Sequence, residues 1–109
     1  MVDVKNTLKD RGNRYGDFST HAEVTQAIKH AMRNFTPMGK DRPAWDFLSG
    51  MHMEALEMIA HKIGRILNGD PDYADSWHDI AGYATLVEER ITKSTQKTGV
   101  GNMLRDDEP

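Results

Sequence analysis

The sequence predicts an all-α fold built on a helical hairpin. Apolar residues recur with helical spacing, and no segment shows the alternation of apolar and polar residues that is typical of strands. Proline, glycine and capping residues divide the chain into long segments. We therefore expect one domain of 109 residues, in which two long helices joined by a tight loop follow a shorter helix.

The first predicted helix begins after Thr20, which forms a capping-box pattern with Glu23 three residues later. It runs through "HAEVTQAIKHAMRNF" and ends before Pro37 and Gly39. Residues 1–18, which precede it, are polar. We interpret them as a segment that lies near the functional site.

The second and third predicted helices form the hairpin. The second begins near residues 41–43, where an aspartate suits a cap and a proline suits a first turn, and it ends near Leu67. The Asp-Pro pair at 70–71 repeats this signal and starts the third helix, which extends to about Lys93. Residues 94–109 form a tail with several glycines and charges.

Composition excludes several classes of protein. A net charge of −3 and a sequence pI of about 5.9 leave no basic excess for a general nucleic-acid or membrane-surface binder. Cysteine is absent, which excludes disulfides and thiolate metal sites and is compatible with a reducing cytoplasm. No apolar run approaches the roughly 18 residues of a membrane span, and no signal-peptide core is visible. Because only 38% of residues are hydrophobic, we expect homo-oligomerisation to supply further burial.

Each helix of the predicted hairpin has an aliphatic face and an acidic face. The aliphatic stripes comprise Leu56, Ile59, Ile63, Ile66 and Leu67 on the second helix and Ile80, Ala84, Val87 and Ile91 on the third. The opposite faces carry Glu54, Glu57 and His61 on the second helix and Asp75, Asp79 and Gly82 on the third.

The acidic faces are either solvated or covered by a ligand or partner. Like charges three or four residues apart destabilise a helix by a few tenths of a kcal/mol, yet both helices carry such a pair. Met58, Tyr83 and Leu86 interrupt these faces, which favours a covered surface. Four carboxylates from two helices are suited to Mg²⁺, and two such ions could hold a triphosphate and lower the pKa of an attacking water. Gly82 leaves room for an approaching ligand.

These motifs resemble a known family. "EALE" followed by "DSWHDIAGY" is similar to the ExxE…ExxD signature of the all-α nucleoside triphosphate pyrophosphohydrolases, the MazG-like group. The similarity covers about residues 10–92, including "RGNRYGDF", and is strongest to small phage-encoded, MazZ-type members that act on a purine deoxynucleoside triphosphate. It implies a helical-bundle dimer, or dimer of dimers, located in the cytoplasm (the host cytoplasm if phage-encoded). It also implies two or more Mg²⁺ or Mn²⁺ ions per site and cleavage to monophosphate and pyrophosphate.

The resemblance also implies which residues are catalytic and bind metal. Glu54 and Glu57 match the first two ligands of the family, and Asp79 matches its final aspartate. The family's remaining acid corresponds to Ser76, so this chain departs from the pattern. We take Asp75 as the substitute, because spacing of four residues keeps it on the face of Asp79.

The segment "RGNRYGDF" is either an ordinary turn-rich N-terminus or part of a substrate site. Arg14 is suited to bidentate recognition of phosphate, and Tyr15 could stack on a base. Gly12 and Gly16 would permit close approach of the backbone to a ligand.

Three further residues are candidates for substrate binding. Lys62, together with the nearby Arg65, could reach phosphates, although exposed cations on helices are often only solubilising. Tyr83 lies one turn after Asp79, where similar enzymes place an aromatic ring against sugar or phosphate; simple packing is the alternative. Asn34 could read a base edge.

Two rival functions are compatible with the same residues. His78 and Asp79 form the dipeptide found in HD phosphohydrolases, with His52 and His61 upstream as possible further ligands. Alternatively, the chain is a non-enzymatic helical adaptor whose acidic face binds a basic partner. The HD reading requires His78 for metal binding, and the adaptor reading requires no metal at all.

Overall fold

Residues 3–98, which the computed structural model describes, form four α-helices and one short 3-10 helix. All regular secondary structure in this range is helical, which confirms the all-α prediction. The elements are α1 (Val4–Tyr15), α2 (Phe18–Asn34), the 3-10 helix (Ala44–Phe47), α3 (Gly50–Asn68) and α4 (Ala74–Thr98). No helix within the described residues is both long and apolar enough to span a membrane.

Helix α3 is the central element, with α2 and α4 packed along different faces of it. Helix α1 packs against both α2 and α3, and the 3-10 helix packs against α2. The ion pair from Lys62 to Asp79, together with a shared cavity between Glu54 and Arg90, shows that α3 and α4 run antiparallel. The predicted helical hairpin is therefore present.

Small residues allow the helices to approach α3 closely. Ala55, Ala60 and Gly64 are its buried positions. A Cβ atom at Gly64 would collide with the hydroxyl of Thr25 on α2 and would lie 3.2 Å from the ring of His21. The contact between α2 and α3 therefore depends on the absence of a side chain at this position.

Helices α2 and α3 begin at different residues from those predicted. Asp17 caps α2, since its carboxylate accepts hydrogen bonds from the backbone N–H groups of Ser19 and Thr20. Thr20 consequently lies inside the first turn and is not the cap. Helix α3 begins after Ser49, whose side chain and that of His52 form a capping box. Residues 41–43 instead precede the 3-10 helix. This helix is separate from α3, because Leu48 between them has an extended backbone.

Both ends of the described range, residues 3–98, are more helical than predicted. Residues 4–15 form α1, capped by Asp3, so "RGNRY" belongs to a helix and not to a turn-rich segment. The pair at 70–71 forms a turn, and α4 begins only at Ala74. Helix α4 continues past Lys93, so residues 94–98 of the predicted tail are helical. Residues 99–109 of that tail lie outside the described range.

Asn68, at the end of α3, fixes the link between α1 and α2. Its amide nitrogen donates hydrogen bonds to the backbone oxygens of Tyr15 and Asp17, each at 2.8 Å. Its amide oxygen accepts a hydrogen bond of 2.7 Å from the hydroxyl of Thr20. Gly16 lies against Asn68 with a φ of 79°, a conformation that favours glycine. This joint places α1 beside one end of α3.

The single chain buries few large apolar side chains. Ala55 and Ala60 are the buried hydrophobic residues within the described range. Several members of the predicted aliphatic stripes remain exposed, including Leu56, Leu67, Ala84 and Ile91.

Candidate active site

The four predicted carboxylates lie on α3 and α4, but the structure does not gather them at one point. Glu57 and Asp79 each bind a cation from a neighbouring helix, whereas Asp75 accepts a hydrogen bond from a tyrosine. Glu54 has no ion-pair partner among the described residues and lines a cavity. Each group therefore has a different environment.

Asp79 pairs with Lys62 across the contact between α3 and α4. The ammonium Nζ of Lys62 lies 2.9 Å from Oδ2 of Asp79. The Lys62 side chain is only 12% exposed, compared with 42% for Asp79. The hydrogen bond from Lys62 lowers the pKa of Asp79, so this carboxylate is ionised at neutral pH.

Glu57 pairs with Arg33 across the contact between α2 and α3. The guanidinium Nη2 of Arg33 donates to Oε1 of Glu57, whose side chain is 25% exposed. The divalent ion that the sequence predicts as the main partner of Glu57 stays a prediction; within the chain, the structure adds Arg33 as a partner. Arg33 was missed because nothing in the sequence pattern indicates which residue of α2 faces Glu57.

Asp75 lies in the first turn of α4, where a negative charge is favourable to the helix dipole. Its Oδ2 accepts a hydrogen bond of 3.0 Å from the hydroxyl of Tyr73, and this bond raises the pKa of Tyr73. Ser76, three residues before Asp79, is buried. Position 76 therefore does not face an open surface, whereas Asp75 does.

Tyr83 lies between the two acidic regions. It lines a cavity of about 490 Å³ together with Glu54 and Arg90, and a second depression of about 640 Å³ together with Asp79 and Gly82. A Cβ atom at Gly82 would meet nothing within 4 Å, so the expected open space beside it is present. The ring of Tyr83 is therefore accessible from both the Glu54 and the Asp79 sides.

The residues present fit a hard divalent cation by their chemistry, since all four candidates offer carboxylate oxygens. Their arrangement does not form a ready site. Between residues 3 and 98, no three histidine, aspartate or glutamate side chains lie close enough together to hold a metal ion. Lys62 and Arg33 neutralise two of the carboxylates instead.

Two of the remaining substrate candidates have partners within the chain. The guanidinium carbon of Arg14 lies 5.1 Å from the centre of the Tyr73 ring. Asn34 donates a hydrogen bond of 2.8 Å to the backbone oxygen of His30 in its own helix. The guanidinium N–H groups of Arg14 and the amide oxygen of Asn34 could still bind a ligand while these contacts remain.

Tyr15 takes part in an aromatic cluster where α1 meets α3. The guanidinium of Arg65 lies 4.1 Å from the centre of its ring, and the ring of Tyr73 meets it edge-on at 5.9 Å. Tyr15 also lines a cavity of about 320 Å³ between α1, α2 and α3, which we call the histidine cavity. Its lining comprises Leu8, Arg11, Gly12, Tyr15, Gly16, Asp17, Phe18, His21, His61 and Arg65.

Two histidines meet in the wall of the histidine cavity. The rings of His21 and His61 pack edge to face at 4.7 Å, and His21 is only 6% exposed. Burial lowers the pKa of His61 to about 4, assisted by the positive charge of Arg65. Burial also lowers the pKa of His21. Both rings are therefore neutral at pH 7.

The structure does not bring together the histidines required by the HD reading. His61 packs on His21, and the ring of His52 accepts a hydrogen bond from the backbone of Ser49. His78 is exposed on α4.

Comparison with protein-family models, with curated proteins and with solved structures finds no match to this chain.

Proposed function

We propose that the protein is a divalent-metal-dependent nucleotide pyrophosphohydrolase. It would cleave a nucleoside or deoxynucleoside triphosphate, with a purine such as dGTP as the expected substrate, to a monophosphate and pyrophosphate. One observation is the main support for the proposal. The two acidic motifs lie on adjacent antiparallel helices, and two of their carboxylates form ion pairs with the side chains of Arg33 and Lys62. A divalent ion would take the place of those cations.

The chain's own residues suit the binding of a triphosphate. Glu54, Glu57, Asp75 and Asp79 are the residues that would hold Mg²⁺ or Mn²⁺. A bound ion would neutralise phosphate charge and make a water molecule more acidic. Lys62 and Arg33, once exchanged from their carboxylates, would be free to bind phosphate oxygens.

We further propose that the working unit is a homodimer or a dimer of dimers. Large apolar side chains that line one cavity between α3 and α4 remain exposed, namely Leu86 at 59% and Met51 at 38%. Exposed apolar surface of this kind is typical of protein–protein contacts. Light scattering measures the mass of the species in solution. If only a 12.3 kDa species is present and it is fully active in the hydrolysis assay, this part of the proposal is contradicted.

The hydrolase proposal is tested by incubating the full chain with each deoxynucleoside triphosphate and Mg²⁺ and separating the products by chromatography. We expect dGMP and pyrophosphate from dGTP. Glu57→Gln should lower turnover by orders of magnitude, whereas Glu23→Gln, an exposed glutamate on α2, should not.

Three results would contradict the proposal. The first is the absence of turnover with any nucleotide, which would favour the adaptor alternative. The second is release of orthophosphate as the sole first product. The third is loss of metal binding in His78→Ala with full activity in Glu57→Gln, which would favour the HD alternative.

A further inference from the structure

We propose that the histidine cavity binds the base of the nucleotide. The choice of a nucleotide as the ligand rests on the proposed function. The observations on the cavity itself do not involve the four candidate carboxylates. The cavity lies between three helices, and the residues that define it come from separate parts of the chain.

The size and lining of the cavity match those of a small-ligand site. Its volume of about 320 Å³ is near the lower end of the range of roughly 300–1,000 Å³ that such sites occupy. Leu8, Tyr15 and Phe18 supply apolar and aromatic surface, and a few polar groups converge on it. Binding sites for planar organic ligands commonly combine these features.

The two histidines supply the polar groups that a base edge requires. A neutral imidazole has one nitrogen that donates and one that accepts a hydrogen bond. Because His21 is buried and His61 packs against it, neither ring carries a positive charge that would require a counter-ion. The Nδ1 atom of His21 already lies 3.5 Å from the hydroxyl of Thr25, so the ring of His61 and the remaining nitrogen of His21 are the groups that can match the donors and acceptors of a purine edge.

The remaining walls favour an aromatic ligand that carries negative charge. Phe18 is 78% exposed although it lines the cavity, so its ring is available for stacking. Arg65 is held against Tyr15, and Arg11 lines the same cavity. The one acidic residue of the lining, Asp17, is already engaged as the cap of α2.

The cavity is also placed suitably with respect to the phosphate-binding candidates. His61 follows Glu57 by one helical turn, which corresponds to about 6 Å along α3. Glu57 pairs with Arg33 of α2, the helix against which His61 also packs, whereas Lys62 reaches Asp79 on α4. A nucleotide with its base in the histidine cavity would therefore extend its phosphates along α3 toward Glu57.

The test measures binding without metal. The full chain is titrated with dGMP in the presence of EDTA by isothermal titration calorimetry. We expect binding to the wild type and about tenfold weaker binding to His61→Phe, which keeps a ring of similar shape but loses one hydrogen bond. Phe18→Ala should weaken binding at least as much. Phe35→Ala is the matched control, since Phe35 is also an exposed phenylalanine, at 62%, and lies at the other end of α2.

The outcomes separate this inference from the proposed function. Absence of dGMP binding to the wild type, or equal affinities in all four proteins, would overturn the inference. If dGTP is hydrolysed but His61→Phe and Phe18→Ala keep the wild-type KM, the inference fails and the proposed function stands. If dGMP binding depends on His61 and Phe18 but no triphosphate is hydrolysed, the cavity assignment stands and the hydrolase proposal fails. Because Phe18 is exposed, its replacement tests the inference even if His61→Phe unfolds.

Discussion

Lys62 on α3 holds Asp79 on α4 with an N–O distance of 2.9 Å, although both residues were expected to face a triphosphate and its metal ion. A similar ion pair joins Arg33 on α2 to Glu57 on α3. In both pairs, the cation and the carboxylate come from different helices. The pairs therefore link the helices of the bundle, and the pair with Lys62 lowers the pKa of Asp79.

Replacing Lys62 with methionine should separate its structural role from its proposed binding role. Because Asp79 is partly exposed, we expect loss of the pair to lower the free energy of unfolding only slightly in urea denaturation. The rate of dGTP turnover should fall strongly, because no ammonium group remains at this position to bind phosphate. Lys40→Met, in the exposed segment before the 3-10 helix, is the control. Unchanged turnover in Lys62→Met would show that Lys62 is only a structural partner.

The neutral histidine pair predicts that the protein loses stability in mild acid. His61 has an ordinary pKa of 6.5 when unfolded and about 4 when folded, because burial disfavours its charged form. Between these values the unfolded chain binds more protons, so the free energy of unfolding falls as pH decreases from 6.5 to 4. His21, whose pKa is also lowered by burial, acts in the same direction.

Urea midpoints at pH 7 and pH 5 measure this effect. Between pH 7 and pH 5, the urea midpoint of His61→Gln should fall less than that of the wild type. His30→Gln, at an exposed position, should behave like the wild type. The contribution of the pair between Lys62 and Asp79 is present at both pH values, since the pKa of Asp79 lies below its ordinary 3.8. Equal losses in all three proteins would contradict the proposed burial of a neutral His61.

Two glycines inside helices should respond oppositely to alanine. At Gly64 the added methyl group collides with Thr25, so overpacking of about 1–3 kcal/mol outweighs the intrinsic helix preference of alanine, which is about 1 kcal/mol. At Gly82 nothing lies within 4 Å, so alanine should stabilise α4 by up to about 1 kcal/mol. Thermal unfolding measures both changes. Equal stabilisation by both substitutions would mean that α2 and α3 are not in close contact at Gly64.

The sequence was most informative where a helix has a clear apolar stripe. The periodic apolar residues of α3 and the Asn-Gly pair at its end predicted most of its length. Helix α1 was missed because it buries none of its residues and so lacks such a stripe. The start of α3 was misplaced because His52 takes the place of the usual glutamate or glutamine in its capping box.

For the candidate site, periodicity placed the acidic residues on α3 and α4 but could not identify their partners. Arg33 meets Glu57, and His21 meets His61, only because α2 packs on α3. Such contacts depend on tertiary packing between distant segments, which the spacing of residues within one helix does not encode. The histidine cavity was therefore invisible in the sequence, even though Tyr15 had been singled out.

We propose above all that the carboxylates of α3 and α4 exchange their cationic side-chain partners for a divalent metal ion. Calorimetric titration of the full chain with Mn²⁺ tests this exchange most directly. We expect saturable binding to the wild type and at least tenfold weaker binding to Glu57→Gln and Asp79→Asn. Asp75→Asn shows whether that residue is the third ligand. Asp46→Asn is the control, because Asp46 lies outside α3 and α4 and pairs with Arg42 at 3.3 Å. It should bind Mn²⁺ like the wild type. No binding to the wild type, or the same affinity in all of these proteins, would contradict the account.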